Sequence, residues 1–172
     1  MNYMAKAYTN QPENINYLSP VGFRFFVDIL PNTNWFLTSA NLPGFTLSEI
    51  SHPTPLMQAA SPGNDLTFEP LNVTFLVDED LANWREMYDW MVGLAFPESY
   101  EQFKARKAEG KILSDATLTI LNSNMVPNYH IIFKDLFPTS LSEVLFDSAS
   151  ADIEGIKATA TFRYLNYTYE KV

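Results

Sequence analysis

Five prolines (Pro43, Pro53, Pro55, Pro62, Pro70) and two glycines (Gly44, Gly63) fall between Asn41 and Pro70, with strictly alternating segments on both sides. Proline has no N–H to give to a ladder, so these positions belong to sheet edges, bulges or loops. Thr46 to Ile50 and Leu56 to Ala60 are nonetheless extended in character. The pattern predicts a long, irregular hairpin over about 45–68 that stands out from a β-rich core. A segment of this length in a compact domain carries function or assembly.

The flanks supply that core. Phe23, Phe25, Val27 and Ile29 alternate with Arg24, Phe26, Asp28 and Leu30, which predicts a half-buried strand. Pro31-Asn32-Thr33-Asn34 reads as its turn, and Trp35 to Thr38 as the return strand of a hairpin. Leu66 and Phe68 share a face, but from Leu71 the register slips by one, so that Leu71, Val73, Phe75 and Val77 point together. That slip predicts a bulge at Glu69-Pro70. Asp78-Glu79-Asp80 then places carboxylates where a helix N-terminus favours them. The helix carries a stripe of Leu81, Trp84, Tyr88 and Met91, widened by Met87 and Trp90, and Gly93 and Pro97 end it.

Residues 98–111 are more polar and read as a short second helix with Tyr100 and Phe103. Ala116, Leu118 and Ile120, and then Tyr129, Ile131 and Phe133, mark two more strands. A long final strand spans Ile156 to Tyr169, with Ile156, Ala158, Ala160, Phe162 and Tyr164 on one face. Its other face turns apolar at Leu165, Tyr167 and Tyr169, which suggests a neighbouring subunit there. The order of elements predicts a mainly β sandwich or barrel with one major helix. Residues 1–20 read as an arm outside a single domain of residues 21–172.

Composition removes several classes of function. The chain has no cysteine, so disulfides, thiolate nucleophiles and cysteine zinc sites are absent together. Twenty acidic against eleven basic residues give a formal charge of −9, a balance that repels phosphate. No signal peptide is read at the start and no apolar run is long enough to span a bilayer, so a reducing cytoplasm and no membrane are expected. Asn72-Val-Thr74 and Asn166-Tyr-Thr168 match the glycosylation sequon but read as strand residues. His52 and His130 lack partners at metal or catalytic spacing. Asp78-Glu79-Asp80 lacks the alternating ligands of a calcium loop. Pairing Glu98 with Glu101, or Asp147 with Asp152, is what any acidic surface offers. Trp84, Tyr88 and Trp90 read as core packing before they read as an aromatic ligand shelf. Neither a catalytic site nor a metal or cofactor is expected.

Four pieces of the chain, in order, resemble the tail-tube proteins of T4-like contractile phages. They are the strand Phe23 to Ile29 with its exit Thr38-Ser-Ala-Asn-Leu-Pro-Gly44, the run Leu71-Asn-Val-Thr-Phe-Leu-Val-Asp-Glu-Asp80 into Trp84-Arg-Glu-Met-Tyr-Asp-Trp90, the stretch Lys134-Asp-Leu-Phe-Pro-Thr-Ser-Leu-Ser-Glu143, and the final alternating strand. Lys134-Asp135 stands where the family more often has a glycine before leucine.

The resemblance implies a subunit of homo-hexameric rings whose strands join into a continuous inner β-barrel. It also implies stacking of rings into a tube in the virion tail, assembled in the host bacterial cytoplasm. The implied partners are other copies, tail sheath, baseplate hub and tape-measure proteins, with DNA passing an acidic lumen without specific binding. A tube-initiating or baseplate-hub protein shares this fold, and a β-sandwich ligand-binding module or glycan-active enzyme is the reading from another class. The residues assigned to subunit contacts are Pro53, Pro55, Leu56, Met57, Leu66, Phe68, Tyr167 and Tyr169.

Overall fold

In a computed structural model, residues 15–53, 56–95, 100–108, 112–146 and 155–172 are described. Strand β1 is Phe23–Val27, helix α1 is Pro31–Trp35 and β2 is Leu37–Ala40. The pair β3 (Phe45–Pro53) and β4 (Gln58–Phe68) forms a two-stranded sheet of its own. Then come β5 (Leu71–Leu76), α2 (Ala82–Ala95), α3 (Tyr100–Ala108), β6 (Ser114–Leu121), β7 (Pro127–Leu141), β8 (Lys157–Arg163) and β9 (Asn166–Lys171).

Seven of the strands make one antiparallel sheet with two arms that share β7. The first half of β7 pairs with β6 and β9, and β1 lies outside β6. The second half pairs with β8, followed outward by β5 and β2. The chain passes between arms at two facing corners. One is Asp135, at φ 54°, and the other is Tyr164–Leu165, where Leu165 N–H donates to the Lys134 carbonyl at 3.0 Å. The sheet does not close on itself: β1, β2 and β9 each keep one unpaired edge among the described residues.

The inner faces of the two arms make the core. Leu71, Val73 and Phe75 of β5 meet Ala158, Ala160 and Phe162 of β8, and Phe25, Val27, Ala116, Leu118, Ile131 and Phe133 come from the other arm. Phe75 faces Ala158 and Val73 faces Ala160 across the ladder. These small residues leave room for α2, whose Trp90 ring lies 6.2 Å from that of Phe162. Trp90 is fully buried and its indole N–H donates to the Ile112 carbonyl at 3.2 Å. Removing an aromatic from such a site costs about 3–5 kcal/mol.

Three sequence expectations are corrected. Trp35 to Thr38 is not the return strand of a hairpin. Pro31 starts a five-residue helix, Asn34 closes it by bonding both the N–H and the C=O of Val27 (3.0 and 3.1 Å), and β2 pairs with β5 instead. The slip at Glu69-Pro70 is a break between two sheets rather than a bulge. The final strand is two strands, because the corner at Tyr164–Leu165 carries β9 onto the first arm. The short second helix read within residues 98–111 is formed by α3, nine residues long.

The stripe on α2 is also rotated. Its buried residues are Asn83, Met87, Trp90 and Gly93, whereas Tyr88 is 49% exposed. Asn83 turns the helix: its side-chain amide donates to the Leu76 carbonyl at 2.7 Å, and it exchanges bonds with Asp78, which caps the helix. A second tie joins α1 to α2, where Asn32 donates to Glu86 at 2.7 Å. Burial holds the Glu86 carboxyl above its ordinary range, and hydrogen bonds from Thr33 and Asn32 pull the other way.

Asp135 occupies the left-handed region, which Asp tolerates better than most side chains and β-branched residues do not. Asp135→Gly is expected to leave stability within about 1 kcal/mol, since relief of the Cβ offsets the added freedom of the unfolded chain. Asp135→Val is expected to lose at least about 1 kcal/mol in chemical denaturation. Equal midpoints for the two variants contradict a conformational role for this corner.

Candidate assembly site

Beyond its root at Phe68 the hairpin projects from the core. Every residue of β3 is exposed, and the turns of the ladder pair Phe45 with Phe68 and Leu47 with Leu66. Between Leu47 and Glu49 the register shifts, with Gly63 opposite. A Cβ on Gly63 would run into the Ser48 side chain and stand 2.9 Å from its carbonyl oxygen, so glycine is what this irregularity admits. Ser48 in turn accepts from the Asp65 N–H at 3.1 Å.

One aromatic cluster roots the hairpin. The Phe68 ring lies 6.3 Å from Phe45, 5.9 Å from Tyr164 and 5.5 Å from Tyr167, and Phe133 packs on both tyrosines. Three polar bonds pin the same region: Tyr164 to the Glu69 carbonyl (2.9 Å), Arg163 to the Phe68 carbonyl (3.0 Å) and Tyr167 to the Pro43 carbonyl (3.3 Å). Burial is the first cause that pushes the Tyr164 phenol up to about 12, with the neighbouring Tyr167 adding to it.

The residues assigned to subunit contacts therefore fall into two groups. Phe68 and Tyr167 are half-buried and anchor the hairpin to the sheet. Leu56 (97%), Met57 (66%), Leu66 (49%) and Tyr169 (75%) present exposed apolar surface, and Pro53 is exposed as well. Pro55 lies outside the described residues. Phe45, Leu47 and Ile50 extend the apolar surface of the hairpin; Phe45 and Leu47 alternate in the sequence, whereas Ile50 follows the register shift and falls out of step.

The hairpin carries Glu49 and Asp65 and no lysine or arginine. The sheet faces are different. On the solvent side of the second arm the ladders align Asn72, Thr161 and Ser140 in one row and Ser39, Thr74 and Thr159 in the next, with Lys157 and Arg163 at the ends. On the first arm the rows are Arg24, Thr119, His130, Glu170 and Phe26, Thr117, Ile132, Thr168. Acidic charge is thus borne by Glu49 and Asp65 of the hairpin and by connections such as Asp78-Glu79-Asp80 rather than by these faces.

The histidines are held apart, His52 2.9 Å from Ser61 on the hairpin and His130 2.9 Å from Thr119 on the sheet. Of the acidic pairs weighed in the sequence, Glu101 lies 4.0 Å from Lys104, while Glu98, Asp147 and Asp152 fall outside the described residues. Trp84, partly buried against the core with its indole N–H donating to the Ser142 carbonyl at 3.4 Å, stacks on the exposed Tyr88 at 5.7 Å, apart from the buried Trp90.

No protein-family model matches the chain. The tail tube terminator protein of Enterobacteria phage T4 is 32% identical over 137 residues, covering 77% of this chain and 76% of that protein. The chain belongs to the contractile phage tail tube family. Solved structures show the same fold. The tube terminating cap of the anti-feeding prophage superposes with a TM-score of 0.65 at 16% identity, covering 96% of this chain and 99% of that one. The sheath/tube terminator complex of an extracellular contractile injection system (PVC) gives 0.63 at 17%, covering 91% and 99%. The sheath-tube complex of that system gives 0.62 at 15% and covers both chains fully.

Membership in the tail tube family makes the chain a structural component of a contractile tail. The single chain leaves the hairpin exposed and the free edges of the sheet unpaired among the described residues. Deleting residues 53–63 is expected to leave a folded monomer with its thermal midpoint within a few degrees and to abolish association, read by circular dichroism and sedimentation. Loss of the folding transition contradicts this.

Tyr164→Phe is expected to cost about 1 kcal/mol at neutral pH through the lost bond to Glu69. Its phenol is raised on folding, so its contribution is complete below the unfolded value near pH 10 and is lost as pH rises through about 12. The variant should therefore show a flatter decline in stability over that alkaline window. An unchanged decline contradicts the assignment.

Proposed function

We propose that this protein is the tail tube terminator of a contractile phage, a ring-forming structural protein that ends the tube and catalyses no reaction. The observation that carries the reading is the identity to the T4 terminator across three-quarters of both chains. The likeness in fold to a tube terminating cap and to a sheath/tube terminator supports it. In this reading the apolar, acidic hairpin seats on the adjacent ring of the tube, and a neighbouring surface faces the sheath. The ring is a homo-hexamer assembled in the host cytoplasm, and DNA passes through it.

A second reading, the repeating tube subunit, is favoured by one observation: the fold matches a chain of a sheath-tube complex over the full length of both. The two readings differ in what the purified protein does. A terminator forms rings that do not lengthen, and when added to polymerising tube subunits it caps them, so that mean tube length in electron micrographs falls as its ratio rises. Long tubes from this protein alone identify the repeating subunit and overturn the terminator reading. Absence of any effect on tube length overturns it as well.

A further inference from the structure

The first arm of the sheet has four strands, each antiparallel to the next, in the order β1, β6, β7, β9. Because the number is even, its two outer strands run in opposite directions. Copies related by a rotation therefore present β9 of one to β1 of the next in the antiparallel sense, and the ladder continues across the boundary.

Register follows from faces and charge. Arg24 and Phe26 share the solvent face with Glu170 and Thr168, while Phe23, Phe25 and Val27 share the core face with Tyr169. Only an even shift keeps these faces matched. Among even shifts, placing Arg24 opposite Glu170 puts opposite charges directly across from each other; a two-residue slip sets Arg24 against Thr168 or Val172. In that register Tyr169 stands opposite Phe25.

A groove of about 780 Å³ runs beside β1, lined by Val21, Phe23, Phe25, Pro31, Leu37 and Thr38. Tyr169, on the opposite edge of the same arm, is 75% exposed in the single chain, and Val172 is 66% exposed. A tyrosine of this kind buries on the order of 150–250 Å² when it is covered. We propose that Tyr169 of one copy fills the groove beside β1 of the next, with Glu170 paired to the neighbour's Arg24, and that this seam joins copies side by side. The inference rests on the ring-forming reading above and adds the residues that close the ring.

The absence of native cysteine makes a clean test. Oxidation of the assembled Arg24→Cys/Glu170→Cys variant is expected to yield a covalent ladder of multimers up to a closed ring. Mixing the two single variants should yield dimers only. Tyr169→Ala is expected to weaken self-association at least tenfold with an unchanged monomer melt. A Thr38→Cys probe in the groove should lose alkylation rate on assembly, and keep it when Tyr169→Ala is added. Protection that depends instead on residues 1–14 makes the chain's own arm the occupant and overturns the proposal. Rings that form by sedimentation without cross-links, and at full strength with Tyr169→Ala, overturn the seam and leave the ring reading standing. Wild-type protein that never self-associates overturns the ring reading, and the seam with it.

Discussion

The double corner at Asp135 and Leu165 is the constraint on which the rest of the structure depends. At Asp135 the backbone turns left-handed within a single strand, and the Leu165 N–H to Lys134 carbonyl bond holds the second corner against it. This lets β7 serve two arms of the sheet and lets the chain step from β8 onto the opposite arm as β9. Without it the inner faces of the arms would not meet, and the core of Phe75, Phe133, Phe162 and Trp90 would have no enclosure. The aspartate at this position is thus a tolerated solution to the left-handed backbone that the corner requires.

The corner also decides where function lies. It brings Tyr164 and Tyr167 beside Phe68, which roots a hairpin made almost wholly of exposed residues. It leaves β9 with one paired edge and one free edge, matching the free edge of β1 on the far side of the same arm. A rooted apolar hairpin and unpaired sheet edges are surfaces suited to contact with other chains.

Much of this was legible in the sequence, and the losses have physical causes. Prolines at 53, 55 and 62 announced the hairpin because they are incompatible with a central ladder, and alternation announced β5, β6 and the first half of β7. Alternation identifies a strand but not its partner. The pairing of β2 with β5 was missed because Pro31-Asn32-Thr33-Asn34 has the composition of a hairpin turn, and only the Asn34 bonds to Val27 show that it closes a helix. The rotation of α2 was hidden because its pivot, Asn83, is polar and fully buried, which no apolar stripe reports. The site residues divide in the same way. Leu56 and Tyr169 were readable as apolar residues in exposed settings, while the anchoring duty of Phe68 and Tyr167 depends on a corner that sequence periodicity ran straight through.

A terminator ends a tube and does not build its length. Localising it in intact virions by cryo-electron microscopy, with an epitope tag on the chain, tests that claim most directly. Label is expected in a single ring at one end of the tail tube. Label repeating along the tube would contradict it.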